Sequence, residues 1–188
     1  GFQCNVGYLP MLKMDLSFAF FRGPVVTMNI FVLSLVPREA AEYHCDKHVV
    51  KMILETTQMI STVAHARAYA APYKSTHAKH PCTIWASSHP SNMRWLFEHG
   101  FELCREYSRR YGGKIHASEY HLQKLWSDLH LWWPEVQEAR WQDHTTFAQA
   151  MPEEFRGSCS ITAYRSYYRV AKGHLAKWKI AEHKPAWF

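Results

Sequence analysis

The chain has 188 residues, with 22 lysines and arginines against 16 acidic residues, 13 histidines, 8 tryptophans and 5 cysteines. A chain of this size buries roughly 70% of its unfolded surface, which is enough for one well-formed domain. Because 47% of the residues are hydrophobic and 20% are charged, the composition excludes a disordered or collagen-like chain. The cysteines show no C-x-x-C spacing, so they indicate neither a disulfide framework nor a zinc ribbon and favour a reduced cytoplasmic protein.

The pattern of the sequence changes near residue 28. Residues 1–27 show neither helical nor alternating periodicity, so we expect an irregular N-terminal extension or arm, followed by a single domain over residues 28–188. The apolar run from Leu16 to Phe21 is short and is interrupted by Arg22-Gly23-Pro24. No membrane span is therefore predicted.

Three main helices are predicted from apolar periodicity and from the proline and glycine residues that end it. These are a first helix from about Arg38 to about Tyr69, a second from about Ser91 to Gly112-Gly113, and a third from about Ser160 to about Glu182. A short helix is expected after Ser118, and a loop is expected between the first two main helices. The predicted fold is a compact all-α domain of three main helices with long connecting loops.

A strip of polar side chains follows the first predicted helix. At about 100° per residue its members fall within an arc of about 80°, and apolar side chains occupy the neighbouring arc. Because buried ionisable groups are costly unless compensated, such a strip must pair, line a cleft or face solvent. A glutamate among histidines and lysines in a cleft is typical of acid–base or cation-stabilising chemistry. The strip comprises His44, His48, Lys51, Glu55 and Gln58.

Two other interpretations of this strip stay open. If the strip is a solvated edge, Glu55 and Lys51 form an ordinary i,i+4 pair worth about 0.2–0.5 kcal/mol. If it is a metal site, the H-x-x-x-H spacing of His44 and His48 can place two imidazoles on one ion, although Cys45-Asp46 stands where a glutamate usually follows the first histidine. The second interpretation predicts a metal-dependent hydrolase.

The last 37 residues carry +4 of the formal charge of +6. On the third helix, Arg165, Arg169 and Lys172 share one face, which is suited either to a phosphate backbone or simply to solvent. Tyr164 and Tyr168 belong to a second stripe, which we predict to be core. Exposed aromatic side chains beside the basic face would stack on unpaired bases, the candidates being Tyr167, Trp187 and Phe188.

Four further observations concern short segments in a fixed order. They are Asp46-Lys47-His48 followed by Glu55, His80–Trp85 followed by His89, Leu96–Gly112, and Met151–Gly157. In this order they resemble segments of the phage pyrimidine-dimer DNA glycosylases of the endonuclease V type, small all-α enzymes that cut the glycosidic bond of a damaged base and then the backbone. The chain also resembles a group of uncharacterised tailed-phage proteins that share HCDKHVVKMILE, HPCTIW, the MPEE element and a C-terminal Pro-x-Trp-Phe.

The glycosylase resemblance implies roles for individual residues. Glu55 corresponds to the family's catalytic glutamate, and His48 corresponds to a histidine that lines the same site. The family's nucleophile is an α-amine exposed by removal of the initiator methionine, which attacks the sugar C1′ to give a Schiff base. Here Asn29 follows Met28, but 27 residues precede Met28, so the nitrogen of Asn29 is an amide. Two arginines that flank the family's glutamate are replaced here by Leu54 and Gln58.

We therefore predict a DNA glycosylase or glycosylase/AP lyase that acts on a damaged or modified base in duplex DNA. It is expected to be a monomer in the cytoplasm of a phage-infected bacterial host, with no cofactor, metal or membrane association. Glu55 is expected to be the catalytic carboxylate, His48 and His44 to shape or polarise the site, and Lys51 to be the nucleophile or a phosphate contact. Expected DNA-binding residues are Arg156, Arg165, Arg169, Lys172, Lys177 and Lys179, and expected base-pocket residues are Gln58, His80, Trp85 and His89. Besides the metal-dependent hydrolase, a non-catalytic DNA- or protein-binding phage module on the same fold is the alternative.

Overall fold

The computed structural model describes residues 28–188, and all regular elements within this range are helical. The two longest helices have 21 residues each and the last has 13, which confirms the all-α prediction with three main helices. The predicted arm over residues 1–27 lies outside the described residues. The helices are α1 (Pro37–Tyr43), α2 (Asp46–Ala66), α3 (Pro81–Ser88), α4 (Pro90–Arg110), α5 (Glu119–Ser127), α6 (Leu129–Trp132), α7 (Glu135–Glu138) and α8 (Ser160–Lys172).

The prediction of the first helix is wrong at its N-terminal end. The helix is interrupted there, and the chain forms two helices, α1 and α2. His44 and Cys45 have extended backbone, with ψ values of 135° and 161°. The guanidinium of Arg110, on α4, donates hydrogen bonds to the main-chain oxygens of Glu42 and His44, each at 2.8 Å. These bonds satisfy carbonyl groups at the end of α1 that have no partner within the helix. His44 therefore lies outside the helix that carries the rest of the strip.

The core forms where α2 packs against α3, α4 and α5. Gly100 of α4 permits a close approach of these helices, because a Cβ there would lie 2.9 Å from Leu122 of α5 and 3.0 Å from Thr56 of α2. Met52, Ile53, Met59 and Ile60 are fully buried on α2. The helix is thus held on its apolar side, and its polar strip is left at the edge of the core.

Two other predictions about helices differ from the structure. Helix α3 lies within the predicted loop, where Pro81 occupies its first turn and the ring of His80 accepts a hydrogen bond from the main-chain N–H of Cys82. Helix α8 ends at Lys172, not near Glu182, and short 3₁₀ turns continue the chain. The short helix expected after Ser118 is confirmed as α5. In the described part of the chain, no helix has the length and apolar character needed to cross a bilayer.

Candidate active site

Glu55 is a buried carboxylate on the polar strip of α2. The residue is only 6% exposed. Its Oε1 accepts a hydrogen bond from Nζ of Lys51 at 2.9 Å, and its Oε2 accepts one from the main-chain N–H of Asn29 at 3.0 Å. Burial raises the pKa of Glu55, and the Lys51 ammonium and the Asn29 N–H partly oppose this shift. A carboxylate with a raised pKa and fixed partners is suited to proton transfer.

Lys51 distinguishes this pair from an ordinary surface ion pair. Its side chain is 54% exposed, whereas the side chain of Glu55 is 7% exposed. If the strip were a solvated edge, both side chains would lie in water and their ion pair would contribute little to stability. The description of the strip as a solvated edge therefore does not fit Glu55.

Asn29 contributes its side chain to the site as well as the main-chain nitrogen for which it was singled out from the sequence. Its side-chain Nδ2 donates to the carbonyl oxygen of Ala150 at 2.7 Å, and its Oδ1 accepts from the N–H groups of Ile30 and Phe31 at 2.8 and 2.9 Å. Phe31 has a φ of 47°, a left-handed conformation that is rare for a bulky residue. Side-chain bonds of Asn29 thus hold a strained turn that aims its N–H at Glu55.

His48 lies on the same strip but is neutral and packed. Its Nδ1 is 2.7 Å from the hydroxyl of Tyr168, and its ring stacks on Phe31 with the centroids 4.8 Å apart. Burial, together with the charges of Lys172 and Lys51, lowers the pKa of His48 to about 4. His48 therefore lines the site as a neutral imidazole. Its partner Tyr168 was predicted as core only, since nothing local in the sequence links α8 to α2.

His44 is placed behind the site and not on it. It is fully buried, its Nδ1 is 2.6 Å from the main-chain oxygen of Ala40, and its ring centroid is 5.3 Å from that of His99. Burial lowers the pKa of His44 well below its usual value, and His99 and His48 contribute to the shift. The structure brings Lys51, Glu55 and Asn29 together but leaves His44 in the core.

The two histidines of the H-x-x-x-H pair do not form a ligand pair. The Nδ1 atoms of His44 and His48 are engaged by the Ala40 carbonyl and the Tyr168 hydroxyl, and the ring centroids are 6.5 Å apart. Across residues 28–188, no group of three or more histidine, cysteine, aspartate or glutamate side chains is arranged to hold a metal ion. The geometry of this pair therefore lends no support to the metal-dependent hydrolase.

Because of the buried histidines, we expect the free energy of unfolding to decrease as the pH falls. The pKa of His99 is lowered by burial to about 4, as is that of His48, and the unfolded chain has values near 6.5. The unfolded chain therefore binds protons that the folded chain excludes, so this stability is complete above about pH 6.5 and is lost as the pH falls towards 4. Each such histidine accounts for up to about 1.4 kcal/mol per pH unit.

Urea unfolding at a series of pH values from about 7 to about 4.5 measures this dependence. We expect His99→Gln to reduce the slope of unfolding free energy against pH. The reduction should correspond to up to about one proton fewer taken up on unfolding. His130 is exposed, and His130→Gln is the matched control that should keep the wild-type slope. Equal slopes for the two variants would contradict the prediction.

The predicted base-pocket residues separate into two groups. Gln58 is half-buried one turn beyond Glu55 on α2, and His80 lies near the main chain of Met28, so both stay close to the site. Trp85, in contrast, is only 5% exposed and packs on Phe147 with the ring centroids 4.8 Å apart. Trp85 thus packs in the core in this structure, and its role in a base pocket stays a prediction.

His89 has a local structural role. Its Nδ1 accepts a hydrogen bond from the main-chain N–H of Ser91 at 3.2 Å, which caps the first turn of α4. The ring is exposed. The structure thus accounts for His89 as a capping residue.

The predicted basic face of α8 divides between two environments. Arg165 is half-buried, donates to the main-chain oxygen of Leu33 at 2.9 Å and lies 5.2 Å from the ring centroid of Trp187. Arg169 is exposed and donates to the main-chain oxygen of Trp187 at 3.4 Å. Lys172 instead interacts electrostatically with Lys51 and Glu55. The side chains that remain exposed are Arg156, Arg169, Lys177 and Lys179.

The aromatic residues of the C-terminal part are packed. Tyr167 is 6% exposed, and its ring stacks on Phe31 at 6.1 Å and lies tilted against Phe155 at 5.2 Å, measured between ring centroids. The prediction of Tyr167 as an exposed stacking residue is therefore wrong. Trp187 and Phe188 are partly buried against the core. The prediction of Tyr164 and Tyr168 as core residues is confirmed, since neither is exposed.

Comparison with known families gives the class of protein. A family model of DNA glycosylases matches residues 28–128, slightly more than half of the chain, and this range includes His48, Lys51, Glu55 and Gln58. The chain belongs to the pyrimidine dimer DNA glycosylase family, which confirms the resemblance drawn from the four segments. No curated protein and no solved structure matches the chain. The match ends before the Met151–Gly157 segment and α8.

Proposed function

We propose that the protein is a DNA glycosylase, with or without AP lyase activity, that removes a damaged or modified base from duplex DNA and uses Glu55 as its catalytic carboxylate. The observation that carries the proposal is the burial of Glu55 between the ammonium of Lys51 and the main-chain nitrogen of Asn29, in a chain of the pyrimidine dimer DNA glycosylase family. Cyclobutane pyrimidine dimers are the first substrate to test, because the family is defined by them.

The chemistry of base loss matches what Glu55 offers. Departure of a base leaves positive charge on the sugar, and a preorganised carboxylate in a site of low dielectric stabilises such charge strongly. Lys51 favours the ionised form of Glu55, while burial raises its affinity for a proton. The same group can therefore stabilise a cationic sugar and accept a proton from C2′ in strand cleavage.

The main-chain nitrogen of Asn29 is the second group of interest beside Glu55. It lies 3.0 Å from Oε2 of Glu55, which is where an α-amine would stand if Asn29 were the first residue. The glycosylase resemblance gives that amine the role of nucleophile. In the 188-residue chain the nitrogen belongs to a peptide bond and is not nucleophilic.

DNA contacts would come from cations that face outwards. Lys51 lies beside Glu55, and the exposed Arg156, Arg169, Lys177 and Lys179 belong to the positively charged C-terminal part. Such side chains neutralise phosphates without reading sequence. This distribution of charge supports action on duplex DNA.

The test is incision of defined duplexes that carry a thymine dimer, uracil, 5-hydroxymethyluracil, an abasic site or no lesion. We expect cleavage of the glycosidic bond or of the strand at the thymine dimer to be at least about 100-fold faster than on undamaged DNA. Absence of both glycosidic-bond cleavage and strand cleavage on every duplex would overturn the proposal that the protein is an enzyme. Salt-dependent binding that survives Glu55→Gln without any cleavage would instead support the DNA-binding module, which Leu54 and Gln58 favour because they stand where the family has arginines.

A further inference from the structure

Lys51 is the one lysine that forms an ion pair with Glu55 in the described part of the chain. Its Nζ lies 2.9 Å from Oε1, one helical turn before Glu55 on α2. The other carboxylate oxygen, Oε2, accepts the main-chain N–H of Asn29 at 3.0 Å. Each oxygen of the carboxylate therefore has one fixed donor, and the two donors come from different segments of the chain.

The other titratable groups around Glu55 act on it at longer range. His48 lies two turns earlier on the same strip, Lys172 ends α8, and His77 and Cys82 lie before and within α3. Lys172, His77 and Cys82 interact with Glu55 electrostatically. Within residues 28–188, neither Lys172 nor Cys82 forms a hydrogen bond or an ion pair with the carboxylate.

The burial of Glu55 gives this lysine its importance. A carboxylate away from water is costly to ionise unless a positive charge or an N–H donor compensates it. Burial raises the pKa of Glu55, and the hydrogen bond and charge of Lys51 are the largest influences that oppose the rise. The Asn29 N–H contributes only a dipole. The charged form of Glu55 therefore depends more on Lys51 than on any other group.

We propose that Lys51 is a positioning residue for base removal, whose ammonium holds the Glu55 carboxylate in its charged form and in a fixed orientation. This inference rests on the proposed glycosylase function. It assigns Lys51 a role that acts through Glu55, in place of the nucleophile or phosphate contact expected from the sequence. It holds for any group that attacks C1′, because the charge of Glu55 faces the cationic sugar in every case.

The direction of the pH effect follows from this pair. An ammonium beside a carboxylate favours the charged form, so loss of the ammonium makes the carboxylate easier to protonate. A rate that requires ionised Glu55 rises with pH through the pKa of Glu55. Without Lys51, the same rise should therefore occur at higher pH.

The experiment compares pH–rate profiles of the full-length protein and its variants. Single-turnover cleavage of the glycosidic bond in a thymine-dimer duplex is followed between about pH 5 and about pH 8.5, with saturating enzyme so that weaker DNA binding does not enter the rate. The variants are Lys51→Met, Lys51→Arg and Lys124→Met. Lys124→Met is the matched control, because Lys124 forms an i,i+4 pair with Asp128 on α5 at 2.8 Å and its side chain is 48% exposed.

Lys51→Met should move the acid limb of the profile to higher pH. The ratio of the rate at about pH 8 to the rate at about pH 6 should become at least about threefold larger than in wild type. Lys51→Arg keeps a cation beside Glu55 and should keep the wild-type ratio, as should Lys124→Met. Lys51→Gln also lacks the charge, and it takes the place of Lys51→Met if that variant does not fold, as judged by its thermal unfolding.

Gln58 offers a test by rescue. It follows Glu55 by three residues on the same face of α2, where an arginine can form an i,i+3 pair with the carboxylate. Gln58→Arg added to Lys51→Met should therefore return the ratio towards that of Gln58→Arg alone.

Two results would overturn the role of Lys51 and leave the glycosylase standing. One is a wild-type profile in Lys51→Met, and the other is a rate that falls by the same factor at every pH, which would indicate a structural role only. Absence of glycosidic-bond cleavage by wild type on every duplex would overturn the proposed function and this inference with it.

Discussion

Glu55→Gln should reduce the single-turnover rate of glycosidic-bond cleavage by about 10³-fold, within the range that general acid–base and electrostatic contributions span. The glutamine oxygen can still accept a hydrogen bond from the main-chain N–H of Asn29, so the local fold is kept. What is lost is the negative charge that faces the cationic sugar and the capacity to take a proton. Binding of duplex DNA should persist, because the substitution removes a negative charge from a site that receives phosphates.

Single-turnover incision of a thymine-dimer duplex measures this effect, and a filter or anisotropy titration measures the binding. Glu98→Gln is the matched control, because Glu98 forms an i,i+4 pair with Arg94 on α4 at 2.8 Å and its side chain is 29% exposed. That variant should retain the wild-type rate. A Glu55→Gln protein that binds and cleaves like wild type would remove Glu55 from the mechanism.

Arg110→Met should lower the free energy of unfolding by about 3–5 kcal/mol, the range seen when one partner of a buried ion pair is removed. The side chain of Arg110 is 0% exposed, and its Nε lies 2.7 Å from Oε1 of Glu106, which is equally buried. A second nitrogen is 3.0 Å from Asp46 at the start of α2. Without Arg110, two main-chain carbonyls at the end of α1 lose their partner, and the buried carboxylate of Glu106 keeps only its contacts with His183 and Arg109.

Urea unfolding at pH 7 measures the loss of stability. Arg109→Met is the matched control, because Arg109 is the preceding residue, its side chain is 44% exposed and its pairs to Glu42 and Glu106 are longer, at 3.8 and 3.4 Å. Exposed pairs contribute about 0–1 kcal/mol, so this variant should be close to wild type. Equal losses for the two variants would show that the buried network is not what stabilises this junction.

The strip on α2 was predictable because it depends on local periodicity. The helix is indicated by its apolar pattern. Wherever it begins, the sequence spacing places four polar residues on one of its faces: His48, Lys51, Glu55 and Gln58. The partners of the strip were not predictable. Asn29 is 26 residues before Glu55, and the Tyr168 hydroxyl is 120 residues after His48. Contacts of that range depend on how the helices pack, which a single sequence does not encode in any short pattern.

The burial of His44 and Trp85 was not predictable from local sequence patterns either. His44 has the spacing of a strip residue, but Arg110, which is 66 residues away in sequence, binds its carbonyl oxygen at the break between α1 and α2. Trp85 lies in a segment that resembles a glycosylase motif, but the ring is covered by Phe147 from a distant loop. In both cases the environment of the side chain is set by elements elsewhere in the chain.

The hydrogen bond from Asn29 to Glu55 makes the protonation of the carboxylate depend on the covalent state of one nitrogen. As an amide, that nitrogen offers a single N–H dipole, and burial still raises the pKa of Glu55. As an ammonium group, the same atom would bring a full positive charge to 3.0 Å and hold the carboxylate ionised. Cleavage of one peptide bond would therefore act on Glu55 in two ways at once, by adding an amine beside it and by making it a weaker base.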